Sequence, residues 1–76
     1  MNKARRKQIE AIKNLLTTIQ TDLEAIKDDE QEAYDNLPES LQDGEKGEKM
    51  TEAIDNLETA CSALEEIHGN LDEAGL

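Results

Sequence analysis

Two runs of aliphatic residues, each spaced alternately three and four apart, lie on either side of a single proline, and this pattern directs the chain toward a helical hairpin. In the first run Ile9, Ile12, Leu16, Ile19, Leu23 and Ile26 form such a seam, and in the second Met50, Ile54, Leu57, Cys61 and Leu64 repeat it. Spacings of three and four keep a row on one face of an α-helix, whereas a half-buried strand alternates every second residue. No period-two run of β-branched or aromatic residues occurs. The fold class expected is all-α, an antiparallel two-helix hairpin.

Both rows are wider than a two-stranded seam requires. Ala4, Ala11, Thr18 and Ala25 recur every seven residues beside the first seam, with Leu15 lying between. Ala53, Ala60 and Ile67 flank the second. Each helix thus carries an apolar arc broad enough for two neighbours, while a lone hairpin offers only one. Four helices fit the pattern better than two, so a homodimeric four-helix bundle is expected, with Ile9, Ile12, Leu16, Ile19, Leu23, Ile26, Ile54, Leu57, Cys61 and Leu64 as its core. Continuing the first register puts Glu30, Ala33 and Leu37 on the seam, which therefore weakens toward the connection.

The 76 residues read as one domain. The first helix is expected over about 3–36, because Pro38 disfavours helical geometry at Leu37. Residues 37–44 form the connection, with one short helical turn that has Pro38 at its first position. Asp43 is the expected N-cap of a second helix over about 45–68, and Gly69-Asn70 its C-cap, leaving 69–76 as a short tail. Lys3, Arg5, Arg6, Lys7 and Lys13 at the start would meet Glu65, Glu66, Asp72 and Glu73 when the chain folds back. At the other end Asp28, Asp29, Glu32 and Asp35 come level with Lys46 and Lys49.

A chain of this size buries only about 60% of the surface its unfolded form exposes. Small domains usually add disulfides, a metal or a partner chain. Cys61 is the only cysteine and His68 the only histidine, so neither an internal disulfide nor a zinc set is available and association remains. Acidic residues outnumber basic ones by 19 to 8, giving a net charge of −11. That sign opposes direct binding to nucleic acid or to an anionic membrane. No stretch is apolar enough to span a bilayer, and the basic start runs into Gln8, Ile9 and Glu10 rather than the apolar core of a secretory leader, so a cytoplasmic location is expected.

No catalytic site, cofactor site or metal site is expected. Cys61 and His68 lie seven residues apart on one helix, about 10 Å along its axis, too far for a thiolate–imidazole pair. Each is better explained by the core, Cys61 as a small apolar residue and His68 at its edge. The run Asp28-Asp29-Glu30-Gln31-Glu32 lacks the alternating ligands and central glycine of a calcium loop. Outward acids Glu24, Asp28, Asp35, Glu48, Glu52, Asp55, Glu58, Glu65 and Glu66 could imitate rows of phosphates and occupy a basic groove, or could simply keep a bundle soluble. Tyr34, the only aromatic residue, is a candidate interface anchor as well as a cap on the core.

The opening Asn2-Lys3-Ala4-Arg5-Arg6-Lys7, the stretch Glu30-Gln31-Glu32-Ala33-Tyr34-Asp35-Asn36-Leu37-Pro38-Glu39-Ser40-Leu41-Gln42 and the later Ala53-Ile54-Asp55-Asn56-Leu57-Glu58 resemble a family of small, acidic helical proteins of bacteriophages and their bacterial hosts. The resemblance covers most of the chain and is most specific over Tyr34–Gln42. It implies a phage or mobile-element origin and carries over no settled activity, although small phage proteins often bind and inhibit host machinery. Together with the outward acids this leads to the expectation of an accessory protein of a bacterial cytoplasm that acts by protein–protein binding, with inhibition of a basic, nucleic-acid-binding or defence protein of the host as its sharpest form. The alternative is a purely structural, self-assembling bundle. If the two seams face each other, Leu16→Asp combined with Leu57→Asp should abolish the helical circular dichroism; an unchanged spectrum would dismiss the pairing.

Overall fold

A computed structural model describes all residues, 1–76, as two long antiparallel helices and a short one between them. They are α1 (Lys3–Asp35), α2 (Glu39–Gln42) and α3 (Glu45–Ala74). The molecule is a rod with Cα extents of 58 × 15 × 12 Å and a radius of gyration of 17.2 Å. A compact domain of this length would have about 11 Å.

Asn2 starts α1 by accepting a 2.8 Å hydrogen bond from the Arg5 amide, so one free first-turn N–H is satisfied by a side chain. Asn36 ends the helix and Pro38 follows it. Pro38 occupies the N-cap of α2, one position before the expected one. Gly44, with extended backbone, caps α3 in place of the expected Asp43, which instead closes the C-terminal end of α2. The connection is tight because α3 passes directly beneath α2. A Cβ on buried Gly47 would overlap the Gln42 backbone carbonyl. The Gln42 side chain in turn donates a 3.0 Å hydrogen bond to the Tyr34 carbonyl, tying the hairpin tip to the end of α1. Tyr34 and Leu37 are half-buried there, while Leu41 is 48% exposed.

The seam of α3 runs farther than expected. Gly47, Met50, Ile54, Leu57, Cys61, Leu64, His68, Leu71 and Gly75 continue the three–four alternation and form its buried or half-buried row. The helix therefore passes through Gly69 and Asn70 to Ala74, because Leu71 still has α1 to pack on. Gly69 is helical and exposed, and a Cβ there would meet open space.

The seam of α1 is the principal correction. Its half-buried row is Ile9, Lys13, Leu16, Gln20, Leu23, Lys27, Glu30, Tyr34 and Leu37. Ile9, Leu16 and Leu23 face α3 as expected, but Ile12, Ile19 and Ile26 are 48%, 47% and 54% exposed. Lys13, Gln20 and Lys27 take their places between the helices. Only Gly47, Ile54 and Cys61 in the whole chain are buried, so the hairpin by itself closes a single thin layer.

The two helical glycines should respond oppositely to alanine. Gly69→Ala should raise stability by about 1 kcal/mol, the helix-propensity gain at an open site. Gly47→Ala should lower it despite the same gain, since α2 must move away. Urea midpoints of the two variants at one protein concentration check both signs, and equal shifts would contradict the close approach at Gly47.

Candidate protein-binding surfaces

The contacts that cross between α1 and α3 set their register and also their rotation. Lys13 pairs with Asp72 at 2.5 Å, Thr17 Oγ1 lies 3.5 Å from His68 Nε2, and Gln20 donates to Glu65 at 3.4 Å. In each pair the residue numbers total 85. A fourth contact, from the Arg6 guanidinium to the Leu76 carbonyl at 3.3 Å, holds the open end. Thr17, Glu24 and Gln31 on α1 and Thr51, Glu58, Glu65 and Asp72 on α3 recur at seven-residue intervals along this flank, so one side of the rod is polar throughout.

Hydrogen bonding to Lys13 is the main reason the Asp72 carboxyl is held below its ordinary range, and the Lys13 charge adds to it. Reciprocally, the Asp72 hydrogen bond raises the Lys13 ammonium against a smaller desolvation effect. Lys13 also reaches Glu10 at 3.5 Å, so it links two carboxylates. The expected pairing at the connection does not form: Lys49 pairs with Glu45 on its own helix at 3.4 Å, and Lys46 has no acidic partner within 4.0 Å. Between the two helices, opposite charges thus pair at the open end alone.

The other flank is apolar. On α1 it carries Ile12, Ile19, Ile26 and Ala33, and on α3 Ala53, Ala60, Ile67 and Ala74. The register brings these two rows level, within one residue, as Ile12 with Ala74, Ile19 with Ile67, Ile26 with Ala60 and Ala33 with Ala53. Leu15, 66% exposed, extends the stripe outward, and Ile67 is 42% exposed. Isolated exposed apolar residues are ordinary on a monomer, but a continuous stripe on a rod with three buried residues marks an association surface.

The acids singled out from the sequence fall on one side with two exceptions. Glu24, Asp28, Asp35, Glu48, Asp55, Glu58 and Glu65 all lie on the polar flank or just outside it, opposite the isoleucine stripe, and all are exposed. Glu52 and Glu66 point away from both flanks, on the outer face of α3. Tyr34 is not among them: it lies half-buried between the helices near the tip, capping the core. Cys61 is a buried, free thiol on the α3 seam. The one surface depression is a shallow dent on the outer face of α3 around Thr59, Ser62 and Glu66, formed by a single helix. Ile12, Ile19 and Ile26, which the seam reading placed in the core, form an exposed apolar stripe with Leu15. Its signal was present in Lys13, Gln20 and Lys27, which complete their own three–four alternation with Ile9, Leu16 and Leu23.

No helix is long and apolar enough to cross a membrane. Comparison with protein-family models, with curated proteins and with solved structures gives no match.

The ion pair predicts local pH sensitivity. Because the Asp72 value is lowered on folding, its contribution is present above the ordinary carboxylate range and is lost as pH falls through the lowered value. Lys13, raised on folding, loses its contribution only as pH climbs through its own raised value. The pair is therefore complete across the neutral range. Amide-exchange protection over residues 68–75 should fall below about pH 4, ahead of the middle of α3, and Asp72→Asn should remove that acid step. Loss spread evenly along α3 would mean that the pair does not hold this turn.

Proposed function

We propose that this chain is a phage-type accessory protein that acts by binding other proteins rather than by catalysis. The observation carrying this reading is the division of the rod into an apolar side and an acidic side. The apolar side completes a four-helix bundle with a second copy. The acidic side then remains outward, with seven of the singled-out carboxylates exposed toward a basic groove of the kind that otherwise holds nucleic acid.

Charge supports the acidic side as a binding surface. Residues 21–64 hold 14 acids and three cations, the whole net charge of −11, whereas residues 1–20 and 65–76 together hold five of each. Solubility alone would be served by charge spread over the rod, while concentration toward the tip creates a local field. The resemblance to small phage proteins adds the setting of a bacterial cytoplasm and a host protein as target. The self-assembling structural bundle is the second reading, favoured by the thin interior of the single hairpin.

A tagged chain exposed to bacterial lysate and eluted in a salt gradient separates them. A basic nucleic-acid-binding protein released at moderate salt is expected, since screening weakens exposed charge contacts. Its capture should fall at least tenfold with Asp28→Asn, Asp35→Asn, Glu48→Gln and Asp55→Asn combined. Recovery of the chain alone would favour the structural bundle.

A further inference from the structure

The apolar side has the symmetry of a surface that docks on itself. About the Ile19–Ile67 level its rows hold Ile12, Ile19 and Ile26 on α1 and Ala60, Ile67 and Ala74 on α3, each set seven apart, with Ala33 and Ala53 continuing them toward the tip. Both sets read the same in either direction about the level shared by Ile19 and Ile67. A twofold interface requires that if one residue meets a second, the second meets the first on the other copy. Turning one hairpin end for end about this level brings Ile12 against Ile26 of the other copy, Ile19 against Ile19, Ile67 against Ile67, and Ala60 against Ala74. Among these six central positions every large residue then meets a large one and every small residue a small one, while Ala33 meets Arg5.

Charge selects the same orientation. With the hairpins end for end, the two acidic tips lie about 50 Å apart at 1.5 Å per residue, far beyond the ~8–10 Å over which exposed charges interact. With both tips at one end, two segments of charge −11 would lie side by side. The end-for-end arrangement also brings Arg5, which shares the flank of Ile12, level with Ala33 of the other copy and within a turn of its Asp29. The rod also leaves more surface exposed than its mass requires, 5621 Å² against about 4,650 Å² for a folded monomer of that mass, so association has surface to cover.

We infer that two copies pack through these flanks, end for end, as an antiparallel four-helix bundle whose twofold axis passes through the Ile19–Ile67 level. The inference rests on the apolar side being an association surface and is independent of what the acidic side binds. Single cysteines placed in a Cys61→Ala background test it, after sedimentation gives the mass. A mass of two chains is expected. Ile19→Cys alone and Ile67→Cys alone should each give a covalent dimer on mild oxidation. Ile12→Cys should cross-link when mixed with Ile26→Cys and not by itself. Cross-linking of Ile19→Cys only to Ile67→Cys would place both tips at one end and overturn the orientation. A monomeric mass at micromolar concentration would overturn the dimer, whether or not the lysate experiment yields a partner. Ile19→Lys, which sets two ammonium groups against each other on the axis, should weaken association at least about 100-fold. Because Ile19 is half-exposed in the hairpin, a Leu15→Lys variant at the edge of the stripe serves as the milder check, with a smaller loss in the same direction.

Discussion

The rotation of α1 about its own axis determines nearly everything else in this molecule. Its apolar arc holds two heptad rows, and only one can face α3. The cross-helix contacts of Lys13, Thr17 and Gln20 with Asp72, His68 and Glu65 form only if α1 turns so that these residues border α3. That turn brings Ile9, Leu16 and Leu23 inward and swings Ile12, Ile19 and Ile26 to the opposite flank. Individually such exposed contacts contribute little, about 0–1 kcal/mol for an ion pair. Their effect is to choose between two faces of similar hydrophobicity, where a small difference decides.

The consequence is a shallow interior with an unused apolar side. Lys13, Gln20, Lys27 and Glu30 occupy half-buried positions, where long side chains can cover apolar surface with their aliphatic stems while the polar ends stay near solvent. Such a layer buries less apolar area per residue than an aliphatic seam would, and without aromatics beyond Tyr34 there is little to compensate. Covering the isoleucine stripe would restore what the rotation gives up. The tip complements this arrangement, because the approach of Gly47 beneath Gln42 and the Gln42–Tyr34 hydrogen bond fix the turn without a large apolar cluster.

The hairpin was legible because spacings of three and four and a proline are local signals with direct geometric meaning. The end of α3 was not. Gly69-Asn70 looks like a stop in isolation, yet Leu71 continues the row and the Lys13–Asp72 pair secures it, and that partner lies 59 residues away in sequence. The N-cap was misassigned for a similar reason: Asp43 has the better capping side chain, but the crowding over Gly47 sets where α3 begins. Choosing between the two α1 rows required knowing the opposing helix and its register. Ile12 and Ile19 are as apolar as Ile9 and Leu16, and only the polar residues interleaved with the latter set distinguish them. The acidic side was legible as residues but not as a surface, since Asp28 and Asp55 become neighbours of one flank only once the chain has folded back.

The same rotation places the two surfaces in opposition. Polar contacts on one flank of α1 require that the acids beyond them, Glu24, Asp28 and Asp35, share that side, and the antiparallel partner adds Glu48, Asp55 and Glu58. An apolar stripe beside these carboxylates would bring them into any interface it formed, where unpaired charges are costly to desolvate. Placed on the far side, they stay hydrated whatever covers the isoleucines. In the end-for-end dimer inferred above, the acidic sides face outward in opposite directions with their tips at opposite ends. Each copy then offers its field to a separate partner, and occupation of one site leaves the other electrostatically nearly unchanged across a distance of several Debye lengths. Assembly through isoleucine and recognition through carboxylate can thus vary independently, since no side chain is asked to serve both.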